Sequence, residues 1–197
     1  MSLIVELMLA PERATNLSLD QWDLLIRQGR RANLLARLAL HLSDRDLLNS
    51  IPAAPKEHLT SALLMVERQG TAIRWEARCL QEELKNAATP IILLKGAAYI
   101  IAGLPTAHGR TFSDVDIMVP KSHLTQVESE LMLHGWQGTH HSAYDQRYYR
   151  RWMHELPPLR HVLRGTSIDV HHTILPETAR IKVNTAALIQ AAVPLPD

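Results

Sequence analysis

Asp114 and Asp116 stand two residues apart in Arg110-Thr-Phe-Ser-Asp-Val-Asp-Ile-Met-Val119. On a strand, the period-two alternation turns both carboxylates to one face and Val115 and Ile117 to the other. Two acids on one face of an otherwise apolar strand are costly unless positive charge neutralises them. A hard cation such as Mg²⁺ (or Mn²⁺), which takes oxygen ligands and shares them with phosphates, meets that need. Asp169, between apolar Ile168 and Val170, is the candidate third carboxylate. Three acids can hold two metal ions. One lowers the pKa of an attacking hydroxyl, while the other neutralises a triphosphate and its leaving pyrophosphate. Such phosphoryl-group transfer asks the protein for positioning and charge stabilisation rather than covalent work.

An isolated Asp-x-Asp is a weak signal. Its force here comes from an ordered set of features: a strand, Lys95-Gly96, a short helix, a glycine-containing loop, Arg110, Ser113-Asp114-Val115-Asp116, then an acid on a later strand. Lys95 either binds phosphate or snorkels from the strand end. Arg110 either clamps a phosphate or pairs with Asp114 or Asp116. Gly96 and Ser113 complete the candidate phosphate-contacting positions. His171 shares the predicted face of Asp169, whereas His172 points away, so His171 either touches substrate, orients the acid or is simply a polar hairpin residue.

Two other features invite metal or nucleic-acid readings. His154-Glu155 does not begin the zinc-protease pattern, because Pro158 stands where the second histidine would fall. The segment Tyr144–Trp152 mixes cations with aromatic rings, a combination that stacks bases in single-stranded nucleic-acid binders and also occurs on solvated surfaces.

These residues need elements to position them. Ser2–Ala10 reads as a first helix, too short and too acidic at Glu6 for a membrane span. A second helix opens near Ser18 or Asp20 as N-cap and bends or splits at Gly29. Pro52 and Pro55 mark a linker. From about Lys56 to Ala87, apolar and small residues at steps of four and three (Leu59, Leu63, Val66, Gly70, Ile73, Ala77, Leu80, Leu84) predict one long helix. After Pro90 come a strand at 91–94, a short helix through Ile101, a strand at 115–119 and a helix from Ser122 to His134 closed by Gly135. Segments 159–163 and 167–173 flank Arg164-Gly165-Thr166 as a hairpin. A last helix is expected from about Glu177 to Ala192.

At this level the chain resembles a bacterial family of largely uncharacterised nucleotidyltransferases within the DNA polymerase β-like superfamily. The resemblance rests on Leu93-Leu94-Lys95-Gly96, Arg110, Asp114-Val115-Asp116-Ile117-Met118-Val119, Ile168-Asp169-Val170-His171 and the lead-in Leu19–Leu25. It implies an α+β fold, a small mixed sheet flanked by helices. It also implies metal ligation by Asp114 and Asp116, with Asp169 as third carboxylate and base. The superfamily usually has Gly-Ser or Gly-Gly after the first strand, where this chain has Gly96-Ala97. Ala97 removes a hydroxyl, so phosphate binding must lean on backbone N–H groups at the helix start, with Lys95 or Arg110 as counter-charges.

The organisation expected is a helical region over 1–88 packing on the core, a nucleotidyltransferase core over 89–175, and a helix over 176–197 that begins a missing helical region. Members of the resembling family usually continue with such a region, and polymerase β-like cores commonly bind the nucleotide against it, so residues 1–197 alone are expected to turn over slowly. The partners expected are a nucleoside triphosphate and an acceptor among small molecules, proteins or RNA, without a membrane. The alternative function is a catalytically inactive nucleotide-binding or protein-interaction module of the same fold. A net charge of +1 opposes a general nucleic-acid coat protein. The single Cys79 excludes an intramolecular disulfide framework, and a cytoplasmic setting is the expectation.

Overall fold

The computed structural model describes residues 2–139 and 142–195. The chain forms two compact units. One comprises residues up to Ala72 together with Leu104–Phe112, and the other comprises Ile73–Gly103 and the residues from Ser113 onward.

The first unit is helical, with α1 (Leu3–Leu9), α2 (Leu19–Arg31), α3 (Leu35–Ser43) and the first five turns of α4 (Ala53–Glu83). Ser18 starts α2 through a reciprocal capping box, its Oγ accepting from Gln21 N and its own N–H donating to Gln21 Oε1. The break before α3 falls at Asn33, in the left-handed region with φ +55°, not at Gly29. Gly29 instead lies inside α2, where an added Cβ would sit 3.1 Å from Leu35 Cδ1, so it permits the close approach of α3. Leu7, Trp22, Leu25, Leu38, Leu42 and Leu59 are buried in one cluster. The segment 104–112 is tied to α3 by the Arg37 guanidinium, which donates to the carbonyls of Thr106 and His108. Gly109 (φ +66°) is required there, since a Cβ would lie 2.6 Å from Arg37 Cα.

Pro55 is not in a linker. It occupies the first turn of α4, where the missing N–H has no intrahelical partner to lose. The helix therefore starts three residues earlier than the proline pattern suggests.

The second unit holds one five-stranded mixed sheet of order β1-β2-β5-β4-β3: β1 (Ile92–Leu93), β2 (Asp114–Met118), β3 (Trp136–Gly138), β4 (Leu159–His161) and β5 (Ser167–His171). Only β2 and β5 pair in parallel, and β4 and β5 form the expected hairpin. The fold is α+β, as expected. The helices here are the end of α4, α5 (Lys95–Ile101), α6 (Leu124–Leu133), α7 (Ala143–Trp152) and α8 (Thr185–Gln190). Val115, Ile117, Ile168 and Val170, the residues that alternate with the acids, are almost completely buried.

Two elements depart from expectation. The last helix covers six residues rather than the span 177–192, because Asn184 caps it and accepts from Ala187 N–H, which sets the start after Val183. The Tyr-Arg segment is a helix, α7, started by Ser142, whose hydroxyl accepts from Asp145 N–H.

Candidate active site

Parallel pairing of β2 with β5 sets Asp114 opposite Ser167, Asp116 opposite Asp169 and Met118 opposite His171. Because side chains alternate, Asp114, Asp116, Asp169 and His171 share one face. Asp116, Asp169 and His171 each offer a ligand atom within 4.8 Å of the others. Asp116 is only 3% exposed and His171 only 1%. The Asp114 carboxylate, one period up β2, lies outside that group of three and accepts from Ser113 Oγ at 3.1 Å.

Lys95 reaches this face from the sheet edge. β1 runs antiparallel to β2, and Leu94 N–H donates to the Asp116 carbonyl at 2.9 Å. The chain then turns into α5 with Lys95 itself at φ +45°, a left-handed conformation that costs a non-glycine residue about 1 kcal/mol. Gly96 is the buried second residue of α5. The Lys95 ammonium ends 2.5 Å from Asp116 Oδ1. His171 Nε2 contacts the same oxygen at 2.9 Å. Both donors thus fall on Oδ1, leaving Oδ2 available to a cation.

The two aspartates in register respond oppositely to their setting. Burial alone would raise the Asp116 carboxyl, but the hydrogen bonds from His171 and Lys95 outweigh it and hold Asp116 below the usual carboxylate range. Among the described residues Asp169 has no such donors. Burial pushes it up to about 6, with Glu155, Asp116 and Asp114 adding repulsion. Lys95 is raised, burial being overcome by its bond to Asp116 and the further charges of Asp169 and Glu155. The face therefore carries more negative charge than its own cations neutralise. A divalent cation fits this donor set, which combines a free carboxylate oxygen on Asp116 with an under-compensated Asp169.

Glu155 and His154 were not anticipated here. They lie between α7 and β4, where Glu155 forms an isolated antiparallel bridge with His171. The His154 ring stacks on the His171 ring, with centroids 5.2 Å apart. Burial lowers the His154 pKa, and Glu155 opposes that only in part. Their only sequence signal was the His-Glu dipeptide, which lacks a helical partner at the zinc-protease spacing.

Arg110 belongs to the helical unit's 104–112 segment, with its guanidinium over the Phe112 ring at 5.1 Å from the centroid. A cleft of about 600 Å³ lined by Lys121, His172, Glu177, Lys182 and Ile189 contains none of the clustered acids. No helix among the described residues is long and apolar enough to cross a membrane.

A family described as "Uncharacterised nucleotidyltransferase" matches residues 18–196. Neither a curated protein nor a solved structure matches the chain.

Proposed function

Since the chain belongs to this uncharacterised nucleotidyltransferase family, we propose that it moves a nucleoside monophosphate from a nucleoside triphosphate to an acceptor hydroxyl, using Mg²⁺ or Mn²⁺ held by Asp114, Asp116 and Asp169. The observation that carries this reading is the register of Asp116 with Asp169 on neighbouring parallel strands, on a face with surplus negative charge. A bound divalent ion would neutralise the triphosphate and acidify the attacking hydroxyl.

The protein's own groups supply the rest. His171 fixes the Asp116 carboxylate through Oδ1 and presents Oδ2, while Asp114 offers a second oxygen ligand from the same strand face. In the metal-free protein burial and the neighbouring acids raise Asp169 to about 6, and this carboxylate is the base for the acceptor hydroxyl. The acceptor oxygen loses its proton to Asp169 and bonds to the α-phosphorus. The bond from that phosphorus to the bridging oxygen breaks, and pyrophosphate leaves. Lys95, whose side chain is 58% exposed, would turn its charge from Asp116 Oδ1 to the phosphates of a bound triphosphate. Ser113 and the backbone at Gly96 are further phosphate contacts, in place of the hydroxyl that Ala97 lacks.

The test is incubation with each labelled triphosphate, Mg²⁺ or Mn²⁺ and cell extract, followed by separation of protein, RNA and small-molecule fractions. Label in one fraction identifies the acceptor class, and Asp116→Asn and Asp169→Asn each reduce it at least about 100-fold. Undiminished labelling by both variants would remove the acids from the reaction. Triphosphate binding without any transfer would favour the inactive-module alternative.

A further inference from the structure

We propose that His154, Glu155 and His171 form a second cation site, separate from the carboxylate site and suited to an imidazole-preferring divalent metal of the zinc class. The three side chains each offer a ligand atom within 4.8 Å of the others. Glu155 Oε2 lies 3.1 Å from His171 Nδ1 and 3.5 Å from His154 Nε2. Adjacent ligands of a tetrahedral ion with bonds of roughly 2.0–2.1 Å stand about 3.3 Å apart, between those two separations. A nitrogen-rich set of this kind selects Zn²⁺ over Mg²⁺, which prefers an all-oxygen shell.

Hydrogen bonding supports the same conclusion independently. The side chain of His171 is 2% exposed, and its Nε2 is committed to Asp116. If Nε2 carries the proton donated to Asp116, Nδ1 presents a bare lone pair. That lone pair is buried, has no hydrogen-bond partner among the described residues and is only 3.1 Å from a carboxylate oxygen, which is also an acceptor. Two acceptors at this distance repel unless a cation lies between them. The separation satisfies an ion pair, but its direction does not satisfy a hydrogen bond, so a proton on Nδ1 is poorly placed to resolve the conflict.

The scaffold is rigid. Leu156 N–H donates to Val170 O, and His172 N–H donates to His154 O, each at 2.9 Å, so backbone bonds on both sides of the bridge hold the three ligands. A metal here makes His171 the link in a carboxylate–histidine–metal relay, fixing its tautomer and the orientation of Asp116. Three protein ligands leave a fourth position for water or a phosphate oxygen. The site's existence does not depend on nucleotidyl transfer.

Co²⁺ is the spectroscopic probe. The chelator-stripped full chain is titrated with Co²⁺ in millimolar Mg²⁺, following visible d–d absorption, with circular dichroism as a check of folding. The expected result is one Co²⁺ per chain with the intense bands of a four-coordinate ion, displaced by Zn²⁺ and resistant to Mg²⁺. His154→Asn and Glu155→Gln should each weaken it at least tenfold, while Asp169→Asn retains it. The proposal is overturned if no such band forms, if His154→Asn and Glu155→Gln both bind normally, or if Asp169→Asn alone abolishes binding. Normal bands without Mg²⁺-dependent transfer would defeat the transfer reading and leave this site standing; transfer without the bands would do the reverse.

Discussion

Two buried clusters of acidic side chains occur in the sheet-bearing unit, and their surroundings treat them oppositely. In the first, Glu76 and Glu83 on α4 meet Arg164 in the β4–β5 turn. Arg164 Nε donates to Glu76 Oε1 and Nη1 contacts Glu83 Oε1, while Thr166 and Trp136 donate to the remaining oxygens, all at 2.8–2.9 Å. Arg164 Nη2 is also 2.8 Å from Glu76 Oε1, but off the hydrogen-bond direction, so it contributes charge rather than a second bond. The guanidinium lies over the rings of Trp75 and Trp136. All four carboxylate oxygens are partnered. In the second cluster, Asp116 is partnered on one oxygen and Asp169 is repelled by three other acids. A closed network holds a structure together, whereas an open one with surplus charge is poised for something from outside.

The largest effect should come from opening the closed network. Arg164→Met leaves two buried carboxylates without their cation and should cost about 3–5 kcal/mol in urea denaturation. A loss below about 1 kcal/mol would mean that water, not Arg164, satisfies Glu76 and Glu83.

A substitution in the open cluster should act with the opposite sign. The Asp169 pKa is raised from 3.8 to about 6, so between those values the folded state holds a proton that the unfolded chain has released. Its contribution to stability therefore falls as pH rises through this window and stays low above it. Asp169→Asn should make the metal-free protein melt higher than wild type at pH 7.5, with the difference shrinking toward pH 4. Equal melting curves across that range would show that Asp169 carries no electrostatic burden.

A third pair calibrates both. Arg150 on α7 forks onto both oxygens of Glu128 on α6, with side-chain exposures of 44% and 12%. Its solvation limits the loss on Arg150→Ala to about 1 kcal/mol, reduced further by salt. A larger, salt-insensitive loss would place this pair with the closed network.

The open cluster was more legible in the sequence than the closed one. Alternation of Asp and apolar residues exposed β2 and β5, and with them the shared face of Asp114 with Asp116 and that of Asp169 with His171. Their spatial pairing was not legible, because the register of parallel strands depends on backbone bonds between distant segments. Lys95 was visible as a cation near the site, but not as the partner of Asp116. Glu155 and His154 escaped because they sit in an irregular segment with no periodicity to assign a face. β3, three residues long, is too short for an alternation signal. Glu76 and Arg164 lie 88 residues apart, and nothing local marks either as the other's partner.

The central claim is that the free oxygen of Asp116 and the under-compensated charge of Asp169 exist to hold a divalent cation. Mn²⁺ titration of the chelator-stripped His154→Asn variant at pH 7.5, which removes a ligand of the nitrogen-containing site, followed by the loss of the free-ion electron paramagnetic resonance signal, tests it most directly. The account predicts saturable Mn²⁺ binding that Mg²⁺ displaces, that ATP strengthens, and that Asp116→Asn and Asp169→Asn each weaken at least about tenfold. Mn²⁺ binding of unchanged strength in both aspartate variants, or none in the His154→Asn parent with ATP present, would contradict it.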